Sequence, residues 1–316
     1  MATPDLCKRW FQLGAFYPFS RAHNALDVVD QDPAWWKENG HPEVTKAAVE
    51  SLRVRYQIIH YLYTAMYNSH TFGDTVVRPM HHVFPEDFLS RDIDEQFFLG
   101  SSLLLTPFLH QDQTYLSAYL NTDSQWYLWS KQNDFIEHIT LSTHHYQLYD
   151  NQSSSPIFVR GGSILPIVAD NELKPPVTTF TLRKAPIELW IAPDSNGKAS
   201  GKLFYDDGEE INSIEKNHYN LIEFYFKNCT LSIQKKHSQE NVYNNLALST
   251  IKIALRKALP KEIQLQLIVS SIKNILIDII HEKTIIVKLN PPKLFKELQQ
   301  ITELHFNANN LNCDAL

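Results

Sequence analysis

Arg21, His23 and Asn24 crowd the end of an aromatic run in the stretch FYPFSRAHN, residues 16–24. A neutral imidazole offers one donor and one acceptor, a pairing that suits the vicinal hydroxyls of a sugar. A His at the end of a buried strand is more often a satisfied core residue. Polar side chains just beyond a strand's carboxyl end are nevertheless what α/β barrels use for ligand contacts. Three other groupings invite chemistry. Asp206-Asp207 has the residue type needed for paired carboxylates, yet adjacent Asp residues ahead of Gly208 read as a turn, because Asp bonds its own backbone and Gly supplies a positive φ. His81-His82 and His144-His145 suggest a metal, but neighbouring side chains on a strand point to opposite faces and cannot grip one ion together, so no metal is expected. Arg160-Gly161-Gly162 marks a bulge or a close backbone approach between strands.

These residues need elements to position them. Apolar Leu6, Trp10 and Leu13 follow Thr3-Pro4-Asp5 and precede Gly14, which predicts a short helix. The run 15–19 is too short and too apolar for a surface helix and is expected to be a buried strand leading into the polar loop. Ala48, Leu52, Tyr56, Ile59, Tyr63 and Met66 recur every three or four residues, which predicts one long helix over residues 43–72, closed by Gly73. After Asp74 the chain turns to short apolar stretches such as VVRPMHHVF, FFLGSSLLLTPFL, QWYLW and IELWIA, broken by Pro, Gly, Asn and Asp, at the spacing of a β-sandwich. IQLQLIV and TIIVKL alternate as half-solvated strands do. The division expected is residues 1–75, 76–170 and 171–316, the last two being sandwiches.

Composition narrows the function classes. The 316 residues are 43% hydrophobic and 20% charged, enough for more than one core. A net charge of −6 without clustered Lys and Arg gives no footprint for a nucleic acid. No apolar run long enough for a membrane segment occurs, and MATPDLCKRW lacks the apolar core of a secretory signal, so a soluble chain without an export address is expected. Cys7, Cys229 and Cys313 allow at most one disulfide and form no zinc or redox motif. Asn151 and Asn228 open glycosylation sequons. No G-x-S-x-G, Walker loop or G-x-G-x-x-G is present, and no cofactor is expected.

The ordered set DLCKRWFQLGAFYPFSRAHN, DQDPAWW, LRVRYQIIHYLYTAMYNSH, GDTVVRPMHHVFPED, QFFLGSSLLLTPFL, IFVRGGSILP and GKLFYDDGE resembles the C-terminal part of glycoside hydrolase family 31 α-glucosidases. It runs from about Asp5 to Tyr219; past Asn228 only general strand character is shared. The resemblance implies a mixed α/β fold, the end of a (β/α)8 barrel followed by a proximal and a distal β-sandwich. It implies retaining hydrolysis of terminal α-linked glucose, with an α-glucoside or oligosaccharide as the partner of the parent enzyme. His23, in the position of the family's R-N-H-N motif, is implied to contact the sugar where the bond is cut, with Arg21 beside it. Here the motif reads Arg21-Ala22-His23-Asn24, so Ala22 replaces the first Asn. The family's use of the secretory pathway would make Asn151 and Asn228 relevant.

The same resemblance implies an absence. The family's nucleophile lies in a W-I-D-M-N-E type motif and its acid/base in a G-D-N type motif; neither occurs here, nor does the G-A-D-I-C-G-F strand. A barrel takes on the order of 250 residues, and only about 75 precede the first sandwich strand. Retaining hydrolysis needs two carboxyl groups roughly 5 Å apart. The chain alone is therefore expected to be inactive on α-glucosides, the alternative being a non-catalytic protein whose sandwiches bind carbohydrate or a partner. Helix 43–72 is expected to bury Leu52, Tyr56, Ile59 and Tyr63 against barrel strands, most of them missing, and the neighbouring sandwich, leaving residues 1–75 mobile or aggregation-prone in isolation and residues 94–289 able to form sandwiches.

Overall fold

The computed structural model describes residues 2–130, 135–150, 155–173, 177–239, 246–256, 265–269, 275–281, 284–294 and 301–308. Helix α1 (Pro4–Gly14) starts as expected, with Pro4 in its first turn and the Thr3 hydroxyl accepting from Leu6 N–H at 3.3 Å. Helix α2 (Pro33–Glu38) repeats the device: Asp32 Oδ1 accepts from Ala34 N–H at 2.7 Å. The long helix of the sequence reading is two helices, α3 (Pro42–Gln57) and α4 (Ile59–Phe72), separated at Ile58, which has φ −89° and ψ 10°. The break lets each half bury its own face. In α3 the buried side is Val44, Ala47, Ala48, Ser51 and Val54, whereas Leu52 is 44% exposed and Tyr56 only half-buried. The face expected from Leu52 and Tyr56 is thus displaced to the side that carries Val44, Ala47, Ala48, Ser51 and Val54. Gly73 ends α4 with φ 72°, a left-handed cap.

The chain forms two compact units with interleaved segments: residues 1–56, 75–123 and 140–158 in one, residues 57–74, 124–139 and 159–316 in the other. In the first, Val77–Pro79, Phe97–Leu99 and Leu103–Leu105 pair antiparallel, and Tyr115–Tyr119 pairs with His145–Tyr149. VVRPMHHVF is not one strand. It stops at Pro79, which has no N–H to extend a ladder, and Met80–Val83 forms a short helix, α5. His81 and His82 are consequently exposed on one helical turn, and His82 Nδ1 lies 3.3 Å from Thr75 Oγ1. His144 stacks on Tyr119 with centroids 5.3 Å apart, while His145 Nδ1 lies 3.2 Å from Ser117 Oγ. Among the described residues no group of three or more His, Cys, Asp or Glu could hold a metal ion, and no helix is long and apolar enough to cross a membrane.

The second unit is built on a ten-stranded sheet. In spatial order its strands are Leu265–Val269, Ile301–Ala308, Thr230–His237, Asn220–Lys227, Ala199–Tyr205, Ser163–Val168, Ile187–Ala192, Ala247–Ala254, Thr284–Leu294 and Ile275–His281. Sequence character follows position. Ile187–Ala192 is buried along its whole length and is apolar except for Glu188, whereas Asn220–Lys227 alternates buried and open residues. Ser163–Val168 pairs antiparallel with Ile187–Ala192, so the segment after Gly161-Gly162 feeds this sheet. A Cβ on Gly161 would sit 2.7 Å from Gln125 Cβ and 3.0 Å from the Pro193 carbonyl, the close approach that the two glycines indicated. Helix α4 lies on the sheet: Thr64 Oγ1 accepts from Phe204 N–H at 3.0 Å, and Tyr67 stacks on Phe204 at 4.4 Å. A short helix, α6 (Thr179–Leu182), precedes Ile187–Ala192 and carries a Thr178 capping box. Cys229 is disulfide-bonded, and Cys7 is free and buried.

Candidate substrate-binding site

The aromatic run 15–19 is a turn, not a strand. Among the described residues no strand pairs with it, so its carbonyls need another donor. Arg55, in the last turn of α3, supplies one: Nη1 donates to the Ala15 and Tyr17 carbonyls at 2.8 and 2.5 Å, and Nη2 to Pro18 at 3.1 Å. Phe16 is fully buried beneath this clamp, while burial holds the Tyr17 hydroxyl above the usual tyrosine range. Downstream, the Asn24 amide donates to the carbonyls of Ala25 and Val28 at 3.2 and 3.1 Å and closes the loop on itself. Asn24 is thereby spent on the backbone, leaving Arg21 and His23 as the outward groups.

Arg21 and His23 both line a cavity of about 580 Å³, together with Trp10, Tyr17, Asp32 and Leu52. Both side chains are exposed and have no hydrogen-bonding partner among the described residues. Trp10, 52% exposed, gives the cavity an aromatic wall on which a sugar ring can stack. Asp32 is the only carboxylate among the lining residues, and one of its oxygens caps α2. The site can hold a hydroxylated ligand by an imidazole, a guanidinium and an indole face. It does not hold the two carboxyl groups that glycosidic cleavage divides its work between.

Asp206 and Asp207 form a turn. Asp206 is 3% exposed and accepts from Gly208 N–H at 2.8 Å, from Ser213 Oγ at 2.6 Å and from the Tyr63 hydroxyl at 2.9 and 3.0 Å. Asp207 Oδ1 accepts from the Glu209 and Glu210 amides at 2.9 and 2.7 Å. Of the two sequons, Asn228 lies exposed in the tight turn between Asn220–Lys227 and Thr230–His237, with φ 51°. Asn151 lies outside the described residues. From sequence Trp10 reads only as an apolar position of α1 and not as a site residue, and Arg55 carries no assigned role. For Arg55 the available signal was a cation in the last turn of a helix, next in the fold to an aromatic run with no strand partner.

Comparison with known proteins identifies the family. Residues 1–65 match the glycosyl hydrolases family 31 TIM-barrel domain, and residues 73–165 match the glycosyl hydrolase family 31 C-terminal domain. The chain belongs to glycoside hydrolase family 31. Within that family it is 38% identical over 259 residues to the intestinal sucrase-isomaltase of Homo sapiens, a match covering 79% of this chain and 13% of the relative's length. It is 34% identical over 243 residues to the lysosomal alpha-glucosidase of Rattus norvegicus, covering 72% of this chain and 24% of that protein. The fold matches the crystal structure of glucosidase II alpha subunit with a TM-score of 0.79 at 22% identity, over 97% of this chain and 33% of that one. The chain thus spans a third or less of these family 31 proteins, and it corresponds to a barrel end followed by β-sandwich structure.

Proposed function

We propose that the chain is the C-terminal part of a retaining α-glucosidase that hydrolyses terminal α-1,4-linked glucose, and that alone it holds substrate without cleaving it. The observation that carries this reading is the cavity wall of Arg21, His23 and Trp10 on a segment matched to the family's barrel, with a single lining carboxylate. In the complete enzyme His23 would exchange hydrogen bonds with sugar hydroxyls and Arg21 would add a fixed donor, while Ala22 alters only loop support. Nucleophile and general acid would come from barrel strands outside this chain. The two family matches, 1–65 and 73–165, support domain limits near residues 75 and 170 in that enzyme. An exposed Asn228 in a hairpin turn fits a glycoprotein of the secretory pathway.

Two measurements on the purified chain test the reading. Maltose and p-nitrophenyl α-glucoside should remain uncleaved, and turnover comparable to a full-length enzyme would refute inactivity. Maltose should give a saturable signal in ligand-observed NMR that weakens about tenfold in His23→Ala, the loss of a good hydrogen-bonding partner. An unchanged signal would remove His23 from the site.

A further inference from the structure

In the first unit, the ribbon of Tyr115–Tyr119 and His145–Tyr149 turns an aromatic pair to solvent. Tyr115 and Tyr149 are direct cross-strand partners, 59% and 66% exposed. The Asp150 amide donates to the Thr114 carbonyl at 2.9 Å and the Leu120 amide to the His144 carbonyl at 2.7 Å, so 114/150 and 120/144 are hydrogen-bonded pairs. Alternation then makes Tyr115/Tyr149 a non-hydrogen-bonded pair, the kind whose side chains stand closest. Directly opposite residues have Cβ atoms about 4.5 to 5.5 Å apart, close to the width of a pyranose ring. Among the described residues neither ring stacks on another aromatic and neither hydroxyl has a partner. Single exposed aromatics are ordinary on a protein surface; two side by side form a platform.

The chemistry of the face selects what lies on it. By alternation it carries Tyr115, Ser117 and Tyr119 from one strand and Tyr149, Gln147 and His145 from the other, while the buried Ala118 and Leu148 point to the opposite side. None of the six is Lys, Arg, Asp or Glu, so a charged ligand finds no fixed counter-charge there. Ser117, Gln147 and His145 are exposed, and the Gln147 amide makes no hydrogen bond among the described residues. Hydroxyl, amide and imidazole beside flat rings suit an uncharged polyhydroxylated chain. A protein partner is a poorer fit, because a stable interface takes about 20 to 30 residues a side and this face offers six. The ribbon is also fixed at both ends. Arg9 donates to the Gln113 carbonyl and the Asp150 carboxylate, each at 3.0 Å, and the Gln96 side chain accepts from Tyr119 N–H at 2.7 Å and donates to its carbonyl at 3.0 Å. Little ordering is left for a ligand to impose.

We propose that this face is a second carbohydrate site, which holds a linear α-glucan with two neighbouring glucose rings on Tyr115 and Tyr149 and their hydroxyls bonded to Gln147. It lies apart from the His23 cavity, whose lining includes none of the six side chains. The choice of α-linked glucose rests on the reading of the chain as part of an α-glucosidase; the platform itself requires only an uncharged oligosaccharide.

Maltoheptaose, followed by titration calorimetry and saturation-transfer NMR on the full chain, is the test. Binding should be saturable, and a saturable component should remain in His23→Ala. Tyr115→Ala and Tyr149→Ala should each weaken that component about tenfold, the loss of one stacking face, whereas Tyr149→Phe keeps the ring and should change it less than about twofold. Gln147→Ala should weaken it about threefold, the loss of one exposed hydrogen bond, and decides the matter if an alanine variant at either tyrosine does not fold. Loss of all maltoheptaose binding in His23→Ala, full affinity in the Tyr115→Ala, Tyr149→Ala double variant, or self-association through the two tyrosines in place of sugar binding would each overturn the proposal. Maltoheptaose held by the tyrosines while maltose ignores His23 would instead remove the His23 contact and leave this site standing.

Discussion

The unit that carries the His23 loop and the unit that carries the long sheet are held by different forces. In the sheet unit, the core consists of aliphatic and aromatic side chains from neighbouring strands, including Leu189, Ile191, Leu203, Phe224, Ile251 and Val287. Its stability comes from apolar area removed from water, at about 25 cal/mol per Å². In the loop unit, arginines do much of the positioning. Arg9 is 3% exposed and bonds Asp5 at 2.8 Å, Asp150 at 3.0 Å and the Gln113 carbonyl at 3.0 Å, while Arg55 clamps residues 15–18. A sheet satisfies its backbone through its own ladders; a ligand-facing turn cannot, and borrows donors from side chains.

A buried ion pair interrupts the apolar core of the sheet unit, and breaking it should have the largest effect. Lys252 Nζ lies 2.8 Å from Glu188 Oε2 on adjacent parallel strands, both side chains 10% exposed, and Trp190 Nε1 donates to the same oxygen at 2.8 Å. Lys252→Met leaves a buried carboxylate without its cation and should cost about 3 to 5 kcal/mol. Chemical denaturation would measure it, and Lys252→Met with Glu188→Gln should recover most of the loss. If the single substitution costs less than about 1 kcal/mol, the pair is not part of the core.

A smaller loss is expected from Arg55→Met in the loop unit. Three carbonyls lose a charged donor, which should cost about 1.5 to 3 kcal/mol. The damage should be local: faster hydrogen exchange in residues 15–24 and weaker maltose binding, with the sheet amides unchanged. Equal acceleration in both units would erase the distinction drawn between them.

The smallest effect is the pH dependence that Asp5 gives the loop unit. Burial raises the Asp5 carboxyl, but hydrogen bonds from Arg9, Asp112 N–H and Lys8 outweigh it and bring the group from 3.8 down to about 2. A depressed folded value means that the unfolded chain binds more protons between these limits. The stabilisation is fully present above about pH 4 and is lost as pH falls toward 2, amounting to at most about 2 kcal/mol. Asp5→Asn should flatten the acid limb of an unfolding curve, and an unaltered limb would remove Asp5 from the account.

Sequence reading reached the helix starts, the onset of β structure after Asp74 and the Asp206 turn, because capping, alternation and turn chemistry are local. It misplaced whatever depended on a neighbour. The 43–72 pattern looked like one helix because three-four spacing persists through Ile58, yet α3 and α4 bury different faces in different units. Residues 15–19 looked like a strand because apolarity signals burial without saying what pairs the backbone.

What the residues themselves determined is the family, the polar loop of Arg21 and His23 for which we propose a sugar contact, and the absence of the family's two catalytic motifs, since all three reside in short stretches of side-chain identity. Only the tertiary structure decided that Arg55 supports that loop, that Asn24 is spent in closing it, and that His60 is buried with a ring nitrogen unpaired among the described residues. Each of those depends on groups far apart in the chain meeting at hydrogen-bonding distance. Burial then makes a polar group left without a partner costly, and that cost cannot be read from a string of residues.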